Sequence, residues 1–187
     1  MSVVSARQGL EIILREIGDV LSGVRDAEVE NLVHALLGAE RIIVCGAGRM
    51  GLMARGFAMR LGQLGLRAWY LGDSATPGIG PRDVLVLASG SGETRTIVAV
   101  AELGCARGAR LALVTARPES TLGRMAEVVV TLPGQAKTDA DGPASVQPMT
   151  TLNEQCTLLL LDAIVLRLSA ATGQTSDDMW ARHCNLE

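Results

Sequence analysis

The sequence has 187 residues, of which 48% are hydrophobic and 2% aromatic, and its formal net charge is −3 at pH 7. So few aromatic side chains and an excess of acidic residues argue against a nucleic-acid partner. Proteins that bind nucleic acids use aromatic side chains to stack on bases or basic side chains to contact phosphates. No apolar run approaches 18 residues without a charge, and the charged N-terminal region does not fit a signal peptide, so no membrane span is predicted. The composition therefore predicts a cytoplasmic protein made of one domain, residues 1–187.

The four cysteines do not form a pattern that binds metal. Cys45, Cys105, Cys156 and Cys184 include no CxxC pair, and three of them lie in apolar or helical runs. His183 beside Cys184 is a weak metal signal, because no second cluster of ligands is near it in the sequence. Free thiols and the absence of a metal site are therefore predicted.

Two helices come first in the chain. Apolar residues recur at helical spacing over residues 5–22 and again over 29–37. Short apolar runs and helical segments then alternate: strands at 41–46, 67–73, 83–89, 109–115 and 127–133, with helices at 48–65, 93–107 and 120–126. Because the strands are apolar throughout, they are typical of a parallel sheet with helices on both faces.

A loop of 16 residues rich in glycine, proline and polar side chains, 133–148, ends this alternation. A structureless loop of that length is usually functional or mobile. A long and very apolar helix is predicted at 149–173, followed by a short helix and a tail.

Two glycine-rich loops are candidates for a binding site. The first, GAGRMG at 46–51, fits the G-x-G-x-x-G fingerprint of dinucleotide-binding proteins, and Asp73 ends the next strand where a ribose-binding acid is expected. That fingerprint belongs at the first strand–helix unit, whereas two helices precede it here. The dinucleotide interpretation also leaves the second loop unexplained.

The second loop, SGSGET, follows the strand at 83–89. Open α/β sheets bind ligands at the carboxyl ends of central strands, and the helix that follows presents its N-terminal amides to an anion. One hydroxyl side chain is enough to cap that helix, which is the alternative explanation. Three hydroxyls and two glycines favour a phosphate site, whose members are Ser89, Gly90, Ser91, Gly92, Glu93 and Thr94.

Six segments carry a family resemblance: VCGAGRMG, TPGIGP, SGSGETRT, TARPESTLG, the PM…L.E pattern at 148–154 and the closing RHCNLE. Together they resemble the 6-phospho-3-hexuloisomerase family, whose members are single-domain proteins of the sugar isomerase (SIS) superfamily. The resemblance covers nearly the whole chain. It implies a three-layer α/β/α sandwich with a five-stranded parallel sheet, a homotetramer, and no metal or organic cofactor.

The resemblance also implies an activity. The family interconverts D-arabino-3-hexulose 6-phosphate and D-fructose 6-phosphate, a step of formaldehyde fixation by the ribulose monophosphate pathway. Its serine- and threonine-rich loop, here 89–94, cradles the substrate phosphate. Glu154 matches the proposed proton acceptor, and His183 matches the tail histidine. Gly48, Arg49 and Met50 match the first loop, although the family normally has serine where Met50 stands.

The reaction moves a ketone between C2 and C3, so a proton leaves one carbon and returns to the other through an enediol. One carboxylate performs both transfers, and Glu154 suits this role beside an apolar helix. Alternatively, Thr151 and Glu154 form a capping box. His183 would assist ring opening from its own or a neighbouring subunit, or else be an exposed tail histidine.

Other residues and activities remain candidates. Arg49 would support the phosphate or a sugar hydroxyl, Lys137 would close over the anion, and Thr76 and Pro77 would shape the rim. The alternative functions are another SIS isomerase, acting on arabinose 5-phosphate or sedoheptulose 7-phosphate, and a non-catalytic phosphosugar sensor.

Overall fold

The computed structural model describes residues 5–134 and 145–186, and it confirms the alternating order of elements. The helices are α1 (Ala6–Leu21), α2 (Asp26–Leu37), α3 (Gly48–Gln63), α4 (Arg95–Ala106), α5 (Thr121–Met125), α6 (Thr151–Thr172) and α7 (Ser176–Ala181). The strands are β1 (Ile42–Gly46), β2 (Ala68–Tyr70), β3 (Val84–Ala88), β4 (Arg110–Thr115) and β5 (Val128–Thr131).

The five strands form one all-parallel sheet in the order β2-β1-β3-β4-β5. The chain runs from β1 outward to β2 and returns to β3 on the other side of β1. This reversal brings the carboxyl ends of β1 and β3 together, with Gly46 opposite Ala88. Ligands of open α/β sheets bind at such a reversal point.

Each face of the sheet carries its own apolar core. Along β1, Ile42 and Val44 belong to the larger core, which α2, α3 and α6 complete. Ile43 and Cys45 point to the opposite face, where α4 and α5 cover them. The predicted α/β/α sandwich is therefore confirmed.

Strand β2 is shorter than the predicted 67–73. The Thr76 hydroxyl donates hydrogen bonds to the carbonyls of Tyr70 and Asp73, at 2.9 and 2.8 Å. Gly72 adopts a φ of 106° between them. A turn stabilised by a side-chain hydroxyl thus replaces the end of this edge strand.

Helix α6 is the one helix in the described part of the chain that is long and apolar enough to cross a membrane, judged by length and composition alone. Core helices of soluble proteins share both properties. Its residues Cys156, Leu160, Leu161, Ile164 and Leu168 are buried in the larger core. Packing against α1, α2 and α3 accounts for its apolar character.

The structure separates the four free thiols into two classes. Cys45 and Cys156 are buried, and burial raises the pKa of each thiol to about 11, whereas Cys105 and Cys184 are exposed. Because the thiolate is the reactive form, we expect two thiols to react quickly with Ellman's reagent at pH 8 in the native protein. All four should react in denaturant, and a third fast native thiol would contradict the burial.

Candidate active site

A cavity of about 560 Å³ lies at the carboxyl ends of β1 and β3, where the strand order reverses. Both glycine-rich loops and the start of α6 form its wall. The lining residues are Ala47, Gly48, Arg49, Met50, Ala88, Ser89, Gly90, Ser91, Thr94, Pro148, Met149, Thr150, Thr151, Asn153 and Glu154.

Three helix N-termini face this cavity. Gly48 begins α3, Thr94 is the N-cap of α4, and Thr150 is the N-cap of α6. Neither threonine makes a side-chain capping bond. The unpaired amides and the positive ends of three helix dipoles make the cavity suitable for an anion.

The loop at 89–94 has a defined shape. Ser89 is buried, and its hydroxyl oxygen lies 3.3 Å from that of Thr94. The Gly90 carbonyl accepts hydrogen bonds from the Thr115 hydroxyl and the Ala116 amide, at 3.3 and 3.1 Å. The end of β4 therefore holds the Gly90 carbonyl away from the cavity. The hydroxyl side chains of the loop remain at the cavity wall.

Two residues predicted for the phosphate site do not line the cavity. Gly92 has a φ of 63° and packs so closely on Ser120 that a side chain at position 92 would collide with it. The Glu93 carboxylate accepts the amide of Thr121 at 2.7 Å, and this hydrogen bond lowers the pKa of Glu93. Both residues hold the loop against α5.

Glu154 faces the cavity and is 9% exposed. One carboxylate oxygen accepts a hydrogen bond from Arg49 Nη1 at 2.8 Å, and the other accepts one from the Thr150 hydroxyl at 2.9 Å. Thr151 instead donates its hydroxyl to the Pro148 carbonyl. The alternative capping box between Thr151 and Glu154 is therefore wrong, and the carboxylate is available at the cavity.

Arg49 and Met50 enter the cavity from the first turn of α3. The Arg49 side chain is half exposed and provides positive charge beside Glu154. Met50 is 9% exposed, and a thioether offers an anion no hydrogen-bond donor. The hydrogen-bond donors that this side of the cavity offers an anion are therefore backbone amides and Arg49.

His183 lies outside this cavity. It follows α7, which packs at the C-terminal end of α3, where Arg182 donates to the Gln63 carbonyl at 3.0 Å. The His183 Nδ1 atom is 2.8 Å from the Cys184 carbonyl oxygen, and the ring lies 5.0 Å from that of Trp180. Since α3 rises 1.5 Å per residue, about 20 Å separate this end of the helix from Arg49.

Among the described residues, the remaining sequence candidates lie away from the cavity. Lys137 lies outside the described residues. Thr76 and Pro77 line a different cavity under α4. Asp73 is paired with Arg55 at 2.8 Å. Over residues 5–134 and 145–186, no three His, Cys, Asp or Glu side chains are grouped as metal ligands would be.

Sequence reasoning missed the bent segment that leads into α6. Pro148, Met149 and Asn153 line the cavity, and Met149 has a φ of 58°, which is uncommon for a residue with a side chain. The PM…L.E pattern includes this segment, but only its glutamate was given a role. The position of Asn153, directly before Glu154, was the available signal.

The chain is similar to known proteins over most of its length. The family model of the SIS domain matches residues 35–166. The 3-hexulose-6-phosphate isomerase of Bacillus subtilis is 36% identical over 94% of this chain and 95% of its own length. The enzyme of the same name from Mycobacterium gastri is 37% identical, over 95% of this chain and 89% of its own.

A solved structure from Methanococcus jannaschii, from which a molecular function of 3-hexulose-6-phosphate isomerase was inferred, has the same fold. Its TM-score is 0.84 at 25% sequence identity, and the match covers 96% of this chain and 99% of that one.

Proposed function

Because the chain belongs to the SIS domain family, we propose from its cavity and its relatives that it interconverts D-arabino-3-hexulose 6-phosphate and D-fructose 6-phosphate. It is an isomerase that acts on a phosphosugar. The reaction would supply fructose 6-phosphate to formaldehyde fixation through the ribulose monophosphate pathway.

The observation that carries this proposal is the position of Glu154. Its carboxylate shares one cavity with the 89–94 loop and three helix N-termini. A phosphate held by that loop leaves the sugar chain beside the carboxylate. A sensor needs only the phosphate site, whereas an isomerase needs a base within reach of the sugar carbons.

In the proposed mechanism, Ser89, Ser91, Thr94 and the amides of the loop hold the phosphate. Glu154 removes the proton from C2 of the 3-ketose, which gives the 2,3-enediolate. The hydroxyl proton on O2 passes to O3, and Glu154 returns its proton to C3 to give fructose 6-phosphate. No electrons leave the sugar, so only protons are transferred. Arg49, which pairs with Glu154 here, would stabilise the enediolate oxygen or the phosphate once substrate enters.

We also propose that the active form is a cytoplasmic homotetramer of one-domain subunits, residues 1–187. Helices α1 and α6 pack together and expose five leucines, with exposed fractions of 38–72%: Leu10, Leu14, Leu158, Leu159 and Leu166. Exposed apolar surface on adjacent helices supports association. In such an assembly, His183 would serve the cavity of a neighbouring subunit.

A coupled assay tests the function directly. Purified protein is added to ribulose 5-phosphate, formaldehyde and a 3-hexulose-6-phosphate synthase, and fructose 6-phosphate is measured. Turnover that persists in EDTA supports the proposal, which needs no metal. If only arabinose 5-phosphate or sedoheptulose 7-phosphate were turned over, that sugar would be the substrate instead. Binding of a phosphosugar without any turnover would favour a sensor.

The Ser91→Ala variant tests the phosphate loop. Because a hydrogen bond to a charged phosphate is lost, we expect fructose 6-phosphate to bind more weakly by about 1–3 kcal/mol, measured by isothermal titration calorimetry. Thr96→Ala, on the exposed first turn of α4, is the matched control and should bind as the parent does. Equal affinity of the Ser91 variant and the parent would remove this hydroxyl from the site.

A further inference from the structure

The cavity contains a buried hydrogen-bond acceptor without a partner. In the described part of the chain, four buried side-chain oxygens lack one: Gln147 Oε1, Asn153 Oδ1, Gln155 Oε1 and Thr157 Oγ1. Asn153 is the member of this group that lines the cavity. Its side chain is more than nine-tenths buried, with 6% of the residue exposed. A buried amide oxygen without a hydrogen-bond donor is unfavourable for folding. Such a group at a cavity therefore suggests that a ligand supplies the donor.

The position of Asn153 is fixed from two sides. It lies in the first turn of α6, immediately before Glu154, and it packs over Gly90 of the phosphate loop. A Cβ atom at position 90 would lie 3.1 Å from Asn153 Nδ2 and 3.4 Å from Oδ1. Glycine at 90 therefore gives the amide the room to sit between the phosphate loop and the carboxylate.

The chemistry of the missing partner is restricted. An amide oxygen accepts hydrogen bonds, so its partner must be a donor. The dianionic phosphate group of a sugar phosphate offers only acceptor oxygens and cannot fill this role. A hydroxyl on the sugar chain donates, and it also accepts from the amide nitrogen.

We propose that Asn153 is a specificity-determining residue that binds a hydroxyl of the sugar chain, between the phosphate at the 89–94 loop and the carbons that Glu154 serves. This inference rests on the proposed function for the identity of the sugar. Two parts of the cavity would then recognise the phosphosugar: the 89–94 loop binds its phosphate, and Asn153 binds a hydroxyl of its sugar chain. Asn153 would thus favour a hydroxylated phosphosugar over other phosphate esters.

The experiment compares two probes by calorimetry: D-fructose 6-phosphate, and methyl phosphate, whose dianion has no hydrogen-bond donor. Asn153→Leu keeps the branched shape of the side chain, is somewhat larger, and has no hydrogen-bonding group. We expect it to bind fructose 6-phosphate about tenfold more weakly, because one hydrogen bond is lost and the sugar hydroxyl is left unpaired. Its affinity for methyl phosphate should stay within about twofold of the parent.

Thr157→Val is the matched control, because it removes another buried and unpartnered oxygen from α6, outside the cavity. It should bind both probes as the parent does. The melting temperature of Asn153→Leu should equal or exceed that of the parent, since the removed oxygen has no partner in the fold. If the Asn153→Leu protein does not fold, the same two affinities are measured on Asn153→Ala, whose smaller side chain leaves space and cannot clash.

If the Asn153 variants lost affinity for both probes equally, the inference would be overturned. Unchanged affinity for fructose 6-phosphate would overturn it as well. The proposed function is tested separately by turnover of the parent protein. A parent that binds fructose 6-phosphate without turnover would refute the isomerase, while the two affinities would still decide the role of Asn153.

Discussion

Replacing Glu154 with glutamine is expected to lower kcat by about 10²–10⁴, the usual contribution of general acid–base catalysis. Glutamine keeps the size of the side chain: its one carbonyl oxygen can accept the hydrogen bond from Arg49, and its amide nitrogen can donate to the Thr150 hydroxyl. It is not a base, so the proton on the sugar carbon would stay in place. Fructose 6-phosphate should still bind, because the 89–94 loop is unchanged.

The matched control is Asp162→Asn, which makes the same chemical change at an exposed position of α6. That variant should keep the parental kcat. Melting temperatures for both variants separate chemistry from folding, because Glu154 also takes part in an ion pair. A Glu154→Gln enzyme with near-parental kcat would remove this residue from catalysis, whatever its stability.

The sequence was a good guide to the fold because its signals are local and agree with one another. Each predicted strand is a short apolar run that ends in a glycine, a small residue or a polar loop, and the helices between them show clear periodicity. The one notable error, the length of β2, arose at the edge of the sheet. There the Thr76 hydroxyl competes for the strand's carbonyl, which periodicity does not reveal.

The site was harder to predict, because it joins segments that are distant in sequence. Arg49 and Glu154 are 105 positions apart, and their 2.8 Å hydrogen bond depends on how α6 packs beside α3. The composition of the 89–94 loop predicts a phosphate site, but it does not show that the Glu93 side chain turns away to α5. Asn153 belongs to no motif that indicates a role, and only the structure shows that its side chain is buried with an unpartnered oxygen at the cavity.

Replacing His183 with alanine is expected to lower kcat by about 10²-fold if the imidazole transfers a proton during ring opening. His34 is the other histidine of the chain and is exposed on α2, so His34→Ala is the control and should stay active. Both variants should melt at the parental temperature. A fully active His183→Ala enzyme would leave the tail histidine without a catalytic role.

Mixed oligomers then show which subunit His183 serves. Since His183 and the cavity lie at opposite ends of α3, we expect it to act across a subunit boundary. Co-expression of inactive Glu154→Gln and inactive His183→Ala chains would assemble some cavities with an intact glutamate from one chain and an intact histidine from the other. If each cavity takes its histidine from one neighbouring chain, random pairing of the two chains across that boundary should restore about one quarter of the parental activity. If the histidine served its own subunit, every mixed cavity would lack one of the two groups, and mixing would restore nothing.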